Sequence, residues 1–357
     1  MQTDILFDKR RSEYLTKTRS LFSAYMHKQK KLKTNDFLSL CSWPKPSPQK
    51  DGYFSFEDHE ALFCAKNRAI QEGGYFLSLN GQGICINPNK DFFRKLCEKG
   101  YTLKDIDIII ATTADATTKE AIMQLHALNR EFSRTLISYG QEPHIIRFFL
   151  HPELMSPLAS LFRPIFRQEL SSVISLETFA RQAEVRALDD TLTLSYTKTE
   201  AEGLACRIDS TDHSFGFVSQ GGYHDALGTF FAPCSVIAAG IGSLSAEDLE
   251  KVSLQVDSLG YFGISKLIEA CPNLKLLLVS EFCRSMGDVR LETVQKLTSE
   301  YPEGPKILAL DENFSLDLDA FAVNTYGNTY CSYDECRVIR LQGAFGPLSF
   351  LPQEDVF

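Results

Sequence analysis

The chain has 357 residues, 44% of them hydrophobic and 11% aromatic, with a formal net charge of −9. That size and composition allow a substantial buried core, so a globular chain of one large domain or two smaller ones is expected. Its apolar runs, such as Leu274 to Val279 and Ile106 to Ile110, are of strand length and fall well short of a bilayer span. The opening MQTDILFDKRR has charges where a signal peptide needs an apolar core, which points to a cytoplasmic protein with no membrane contact.

The charge is unevenly spread. Residues 1–36 hold nine Lys/Arg (Lys9, Arg10, Arg11, Lys17, Arg19, Lys28, Lys30, Lys31, Lys33) against four acids, a surplus of five positive charges that leaves −14 for the remainder. Within this arm Leu15, Leu21, Phe22, Tyr25 and Met26 approximate helical spacing, so a surface helix docked on the acidic body is expected. Its Lys/Arg cluster, residues 9–33, leaves nucleic acid or an acidic protein neighbour open as partners. The ten cysteines are scattered singly. The closest pair, Cys331 and Cys336, has four residues between and no histidine nearby to complete a zinc site, so reduced, mostly buried thiols are expected.

After the arm, CSWPKPSPQKDG (Cys41 to Gly52) interrupts any regular element, because its three prolines fix φ and remove donors. Phe54 to Ala69 reads as a short amphipathic helix, so residues 1–72 form a basic helical extension. A hairpin follows, in which Asn80-Gly81 joins Tyr75 to Leu79 with Gln82 to Ile86, since both turn residues tolerate positive φ. Asp91 to Asp107 is helix-like, and Ile106 to Ala111 is an apolar strand. Next comes the loop TTADATTKE, then a helix over Thr117 to Phe132, apolar at Ala121, Ile122, Leu125 and Leu128. Thr117 or Thr118 is the expected N-cap, Glu120 lies in the first turn, and His126 is an ordinary helix residue.

Residues 134–200 alternate short strands and helices, with an inserted piece expected near His151 to Arg167. Two clearer units follow. HSFGFVSQGGYHDALGTFFAPCSVIAAGIGS (His213 to Ser243) reads as strand, glycine turn, helix and strand. In QVDSLGYFGISKLIEACPNLKLLLVSEF (Gln255 to Phe282), Gly260 and Gly263 open a helix ahead of a buried strand. The runs KILAL, LDAFAV and CRVIRLQG are expected to finish a second sheet or add a small cap. Gly81-Gln82-Gly83 is a hairpin turn and matches no nucleotide fingerprint.

Taken in order, hairpin, helix, apolar strand, loop and helix resemble the start of a metallo-β-lactamase fold. Members of that superfamily carry a T-H-x-H-x-D-H loop after the strand, whose side chains hold one or two metal ions. Laid on that pattern, Thr112 falls at the first His, Ala114 at the second, Ala116 at the Asp and Thr117 at the third His. Gln220 stands where the metal-bridging Asp belongs, and Ser258, before Leu259-Gly260, where the final His is expected. Asn87 replaces the acid of the family's Asp-Pro-Gly turn, and Thr197 to Glu200, where another family His lies, has none.

The resemblance covers about residues 73–310 and implies an α/β αββα sandwich, two mixed sheets between helices, with an N-terminal helical extension (1–72) and an insertion around 134–200 in the body (73–357). Scaffold is kept and ligands are lost, so it implies a catalytically inactive pseudoenzyme with no metal and no cofactor. Such a chain would act as a binding or regulatory subunit beside another protein. Some bacterial relatives with this arrangement belong to anti-phage defence systems, and the resemblance extends that expectation here. Two alternatives stay open. One is a metal-dependent hydrolase of the phosphodiesterase or nuclease type, its site rebuilt from Asp115, Glu120, Asp257 and Glu281 around a hard cation such as Mg²⁺. The other is a nucleic-acid-binding protein that uses the basic arm. His213 and His224 lie off the positions that carry function in the family.

Overall fold

Strands that are apolar on both faces must be covered on both. On Ile108–Ala111 the side chains of Ile108 and Ile110 enter one buried cluster while those of Ile109 and Ala111 enter another. Repeated along the chain, that alternation builds two sheets face to face with helices outside. The computed structural model describes residues 2–28, 30–31, 35–41, 73–162, 174–178, 184–188, 190–200, 203–242, 244–282, 289–312, 314–328 and 331–340.

The first sheet has nine strands. In chain order they are β1 (Asp36–Ser39), β2 (Tyr75–Leu79), β3 (Gln82–Ile86), β4 (Ile108–Ala111), β5 (Ile146–Leu150) and β6 (Ile174–Thr178), then β14 (Phe314–Asp317), β15 (Ala322–Asn328) and β16 (Cys331–Arg340). They lie side by side as β16-β15-β14-β1-β2-β3-β4-β5-β6, with β3 to β6 mutually parallel. The second sheet is formed by β7 (Glu184–Ala187), β8 (Thr193–Lys198), β9 (Leu204–Asp209), β10 (Ser214–Val218), β11 (Val236–Gly242), β12 (Leu276–Phe282) and β13 (Lys306–Ala309). Its order is β13-β12-β11-β10-β9-β8-β7, with β10 to β13 parallel.

Between the sheets Ile84, Ile110 and Phe149 meet Tyr196, Phe217 and Leu278. Outside the first sheet lie α2 (Phe92–Glu98), α3 (Ala116–Ser138) and α4 (Pro152–Phe162), which bury Leu96, Ile122, Leu125 and Leu158 against Phe76, Ile109 and Phe148. Outside the second lie α5 (Asp225–Phe231), the short α6 (Ala246–Leu249), α7 (Gly260–Ala270) and α8 (Arg290–Glu300), with Phe231, Ile264, Leu267 and Leu297 against Val218, Ile237 and Val279. At about 25 cal/mol per Å² of apolar surface these three clusters are the main favourable term in folding. The sandwich expected from the sequence is therefore present. Among the described residues no helix is long and apolar enough to cross a membrane.

The basic arm begins as α1 (Gln2–His27) and is docked at its C-terminal end. Tyr25 packs edge-on against Phe132 of α3 with ring centroids 5.4 Å apart, and Lys104 Nζ donates to the Tyr25 carbonyl at 3.0 Å. Lys30 pairs with Asp107 at 2.6 Å, while the Lys31 amide donates to Asp105 Oδ1 at 2.7 Å and its ammonium lies 4.2 Å from the centre of the Tyr101 ring.

Several expectations need correction. β1 lies inside the stretch expected as a helical extension (1–72), yet pairs antiparallel with both β2 and β14. Asp91 to Asp107 is no single helix: α2 stops because Gly100 takes φ +83°, and a single 3₁₀ turn, Leu103–Asp105, follows. β5 and β6, within the expected insertion, continue the first sheet in regular parallel register. At the C-terminal end only β13 joins the second sheet, whereas β14 to β16 return to the first. Phe54 to Ala69, Ser42 to Gly52 and Arg163 to Arg167 lie outside the described residues. Of the six free cysteines described, Cys41, Cys85, Cys206, Cys234 and Cys271 are buried and Cys97 is exposed.

The position of β1 makes a quantitative expectation. Phe37 is fully buried, its ring 5.7 Å from Tyr75 on the neighbouring strand and 5.1 Å from Phe215 across the core. Phe37→Ala should cost about 3–5 kcal/mol in urea unfolding of the full chain. A loss below about 1 kcal/mol would mean that residues 36–39 are an appendage and not part of the sandwich.

Candidate functional site

Parallel strands end together, so the loops leaving them gather at one edge. The Asn87 amide donates to Ile110 O at 2.8 Å and the His151 amide to Ala111 O at 2.8 Å, which sets Asn87, Thr112 and His151 side by side where β3, β4 and β5 end. Asn87 takes φ +44°, a conformation Asn tolerates better than most residues, and aims its amide at the loop. Its Oδ1 accepts from the Thr112 amide at 2.8 Å and its Nδ2 donates to Thr112 Oγ1 at 2.8 Å. Thr112 is fully buried, with its hydroxyl occupied by this pair.

The rest of the loop closes on Asp115. Its Oδ1 accepts from the Thr118 amide at 2.8 Å and the Thr117 hydroxyl at 2.6 Å, and its Oδ2 from the hydroxyls of Thr113 and Thr118, each at 2.8 Å. Asn89 Oδ1 lies equally close to Thr117 Oγ1, at 2.6 Å, so the hydroxyl's single proton is shared between the two acceptors. Asp115 is thus the N-cap of α3, in place of the expected Thr117 or Thr118, and the helix runs on to Ser138. Burial pushes the Asp115 carboxyl up, but the bonds from Thr117, Thr118 and Thr113 outweigh it and hold the group below its ordinary range.

On the second sheet, Gln220 follows β10, and its carbonyl accepts from Thr199 Oγ1 at 2.8 Å. The next two amides, Gly221 and Gly222, donate to Asp257 O at 3.2 Å and Val256 O at 2.6 Å, so the Gln220 loop is laced to the Ser258 loop. Neither glycine has room for a side chain: a Cβ on Gly222 would stand 2.0 Å from Gln255 O, and Gly221 has φ +88°. Ser258 is buried and donates to Gln255 Oε1 at 3.0 Å. Behind it, fully buried Asp248 accepts from the Tyr261 and Phe262 amides at 2.7 and 2.9 Å, capping α7 from outside the helix. Burial raises the Asp248 pKa despite those bonds.

The structure brings some expected residues together and leaves others apart. Thr112 is paired with Asn87 and Thr117 with Asp115 and Asn89, the Gln220 and Ser258 loops are joined through the backbone of Gly221 and Gly222, and Ala114 and Ala116 offer no donor atom. Of the carboxylates proposed for a rebuilt site, Asp115 is the helix cap, Glu120 is exposed on α3 past its first turn, since the helix starts at Ala116 and has no acid in that turn, and Asp257 is exposed beside Gly221. Glu281 is half-buried: it accepts from Ser219 Oγ at 2.6 Å and takes φ +56°. Among the described residues no group of three or more His, Cys, Asp or Glu is placed to hold a metal ion. These positions therefore do not fit the family's metal, which needs imidazole, thiolate or carboxylate donors converging on one point.

Of the histidines, His151 lies at this edge beside Thr112, buried, with its Nδ1 3.3 Å from the Glu153 amide, which donates to it; the others described are placed elsewhere. His213 faces Asp319 at 3.0 Å and His224 faces Lys198 O at 2.9 Å. Burial is the main cause that pulls His126, on α3, and His144 down to about 4, so both stay neutral near pH 7. Sequence reasoning misses the roles of Asn89, Ser219 and Asp248. The two asparagines flanking Pro88 are the one local signal available, since a pair of Asn side chains facing a Thr-rich loop can satisfy it.

Asp115 gives a pH-dependent expectation. Its pKa is lower in the folded than in the unfolded chain, so the stability it contributes is fully present above about pH 4 and is lost as pH falls through the folded value. Asp115→Ala should lower the unfolding free energy by about 1–2 kcal/mol at pH 7, and the gap from wild type should narrow at about pH 3. Urea melts at both pH values check this; a gap that is constant or wider in acid contradicts the cap.

No family model matches the chain, and no curated protein matches it in sequence. Solved structures do. A metallo-β-lactamase fold protein, YhfI from Bacillus subtilis, matches with a TM-score of 0.56 at 11% identity, over 79% of this chain and 99% of that one. A diphosphatase of the PhnP family gives 0.54 at 12% identity over 80% and 97%, and human tRNase Z, short form, 0.52 at 8% over 79% and 98%. At those identities the likeness is one of architecture: this chain has the metallo-β-lactamase fold.

Proposed function

We propose that this chain is a pseudoenzyme of the metallo-β-lactamase fold, which works by binding another protein and not by metal-dependent hydrolysis. The observation that carries the reading is the Asp115 network: the loop that presents metal ligands in the family is here tied to itself and to Asn87 and Asn89. Thr hydroxyls so engaged are weak ligands, and Ala provides none. A structural zinc site is worth on the order of 10–16 kcal/mol, so loss of its ligands removes the driving force for binding. The fold does not need a metal to persist, because its strands are held by the burial of Ile, Leu, Val and Phe. A place in anti-phage defence rests on the sequence resemblance alone.

Glu281 favours a second reading, in which a site is rebuilt. A non-glycine residue held at positive φ stores backbone strain, which clusters at functional sites. Its carboxylate accepts from Ser219, the residue before Gln220, at 2.6 Å.

The test is elemental analysis of protein expressed with added zinc, thermal melting with and without EDTA, and assays on a phosphodiester and a lactam. The expected result is no stoichiometric Zn, Mn or Fe, an unchanged Tm and no hydrolysis above background. About one metal per chain, or a Tm that falls on chelation, overturns the proposal. Saturable Mg²⁺ binding lost in Glu281→Gln would favour the rebuilt site instead.

A further inference from the structure

We propose that α1 docks on the loop between α6 and α7 of a second copy of this chain, in a reciprocal exchange of arms between two molecules. Two surfaces without partners among the described residues carry the inference, one basic and one acidic, each with apolar side chains at its centre.

The first is the middle of α1. Residues 9–17 are exposed on every side, Tyr14 at 69% and Leu15 at 43%. Lys9, Arg10, Arg11, Lys17 and Arg19 surround these two, with Glu13 the one acid between Lys9 and Ser20. None of the five cations is in an ion pair among the described residues. Lys30 and Lys31, by contrast, are engaged on Asp107 and Asp105. A helix of 26 residues is about 39 Å long, and stretches without tertiary packing are marginal in water.

The second surface is the ridge at Val252, Leu254 and Val256, exposed at 69%, 40% and 59%. Exposed Glu247, Glu250 and Asp257 flank it, and Lys251 is withdrawn into a 2.7 Å pair with Glu300, so the ridge keeps a negative sign. It is also held in shape: the Val252 amide donates to Glu247 O at 2.8 Å and the Gly222 amide to Val256 O at 2.6 Å. A preorganised apolar ridge with an acidic rim complements an apolar stripe with a basic rim.

A second copy is the occupant because the complementary surface is on the chain itself and, among the described residues, is not used within it. α1 is anchored through Tyr25 on α3, in the helix layer outside the first sheet, whereas the ridge belongs to the layer outside the second. Two reciprocal contacts related by a twofold axis give a closed dimer. A nucleic acid would answer the cations of α1 but not the placement of Tyr14 and Leu15 among them.

The experiment is sedimentation equilibrium of the full chain at low and moderate salt, with two charge-reversal variants. One carries R10E, R11E and K17E; the other carries E247K and E250K. Wild type should be dimeric, and each variant alone should dissociate with a Kd raised by about 100-fold. An equimolar mixture of the two should recover the dimer, since each arm then meets a ridge of opposite charge. Should a variant fail to fold, Tyr14→Cys with Val256→Cys gives an independent reading, as mild oxidation should yield an intermolecular disulfide that neither single variant forms. A wild type that stays monomeric, variants that dimerise as wild type does, or a mixture that stays monomeric would overturn the proposal. So would a monomer that binds a duplex oligonucleotide and loses it on reversal of the α1 cations.

Discussion

Burial of the inner faces of two sheets against each other is the constraint on which everything else in this chain depends. Ile84, Ile110 and Phe149 on one side, and Tyr196, Phe217 and Leu278 on the other, fix which way each strand faces. Once β3 to β5 and β10 to β12 run parallel within that core, their following loops arrive at the same edges regardless of what those loops contain. The architecture therefore outlasts a change of ligands. A strand that ends in Thr112 is positioned as firmly as one that ends in a histidine, because its place is set by the isoleucines before it.

The loop at this edge is ordered by hydrogen bonding with its polar groups paired locally. Buried polar groups are costly unless paired, and the loop answers by pairing Thr112 with Asn87, and Thr113, Thr117 and Thr118 with Asp115. Asp115 also serves α3, since its carboxylate meets the free amide of Thr118 at the helix start. The second edge uses backbone in the same way: Gly221 and Gly222 bind the carbonyls of Asp257 and Val256, and Asp248 fixes the start of α7.

The parts of this fold that are legible in the sequence are those decided by neighbours along the chain. Asn80-Gly81 turns a hairpin because Asn80 and Gly81 both adopt positive φ, and Gly260 opens α7 because a Cβ there would stand 2.4 Å from Asp248. The strand β1 escapes notice because it has four residues and its partner β14 lies far along the chain; nothing within residues 36–39 records that pairing. The cap of α3 is ambiguous for a different reason. Asp115, Thr117 and Thr118 are all competent cappers within four positions, and only the backbone decides that Asp115 is the extended one, with φ −70° and ψ 159°. Glu281 is a candidate from the sequence, but its bond with Ser219 is not readable there, because it depends on a positive φ within β12.

The central claim, that this edge of the sandwich has exchanged metal ligation for internal hydrogen bonds, is tested most directly by calorimetric titration of zinc. The wild-type chain is compared with a variant in which Thr112→His, Ala114→His, Ala116→Asp, Thr117→His, Gln220→Asp and Ser258→His restore the family's donors. The account predicts no saturable heat from wild type and about one or two zinc ions bound by the restored chain. Saturable, stoichiometric zinc binding by the wild type would contradict it.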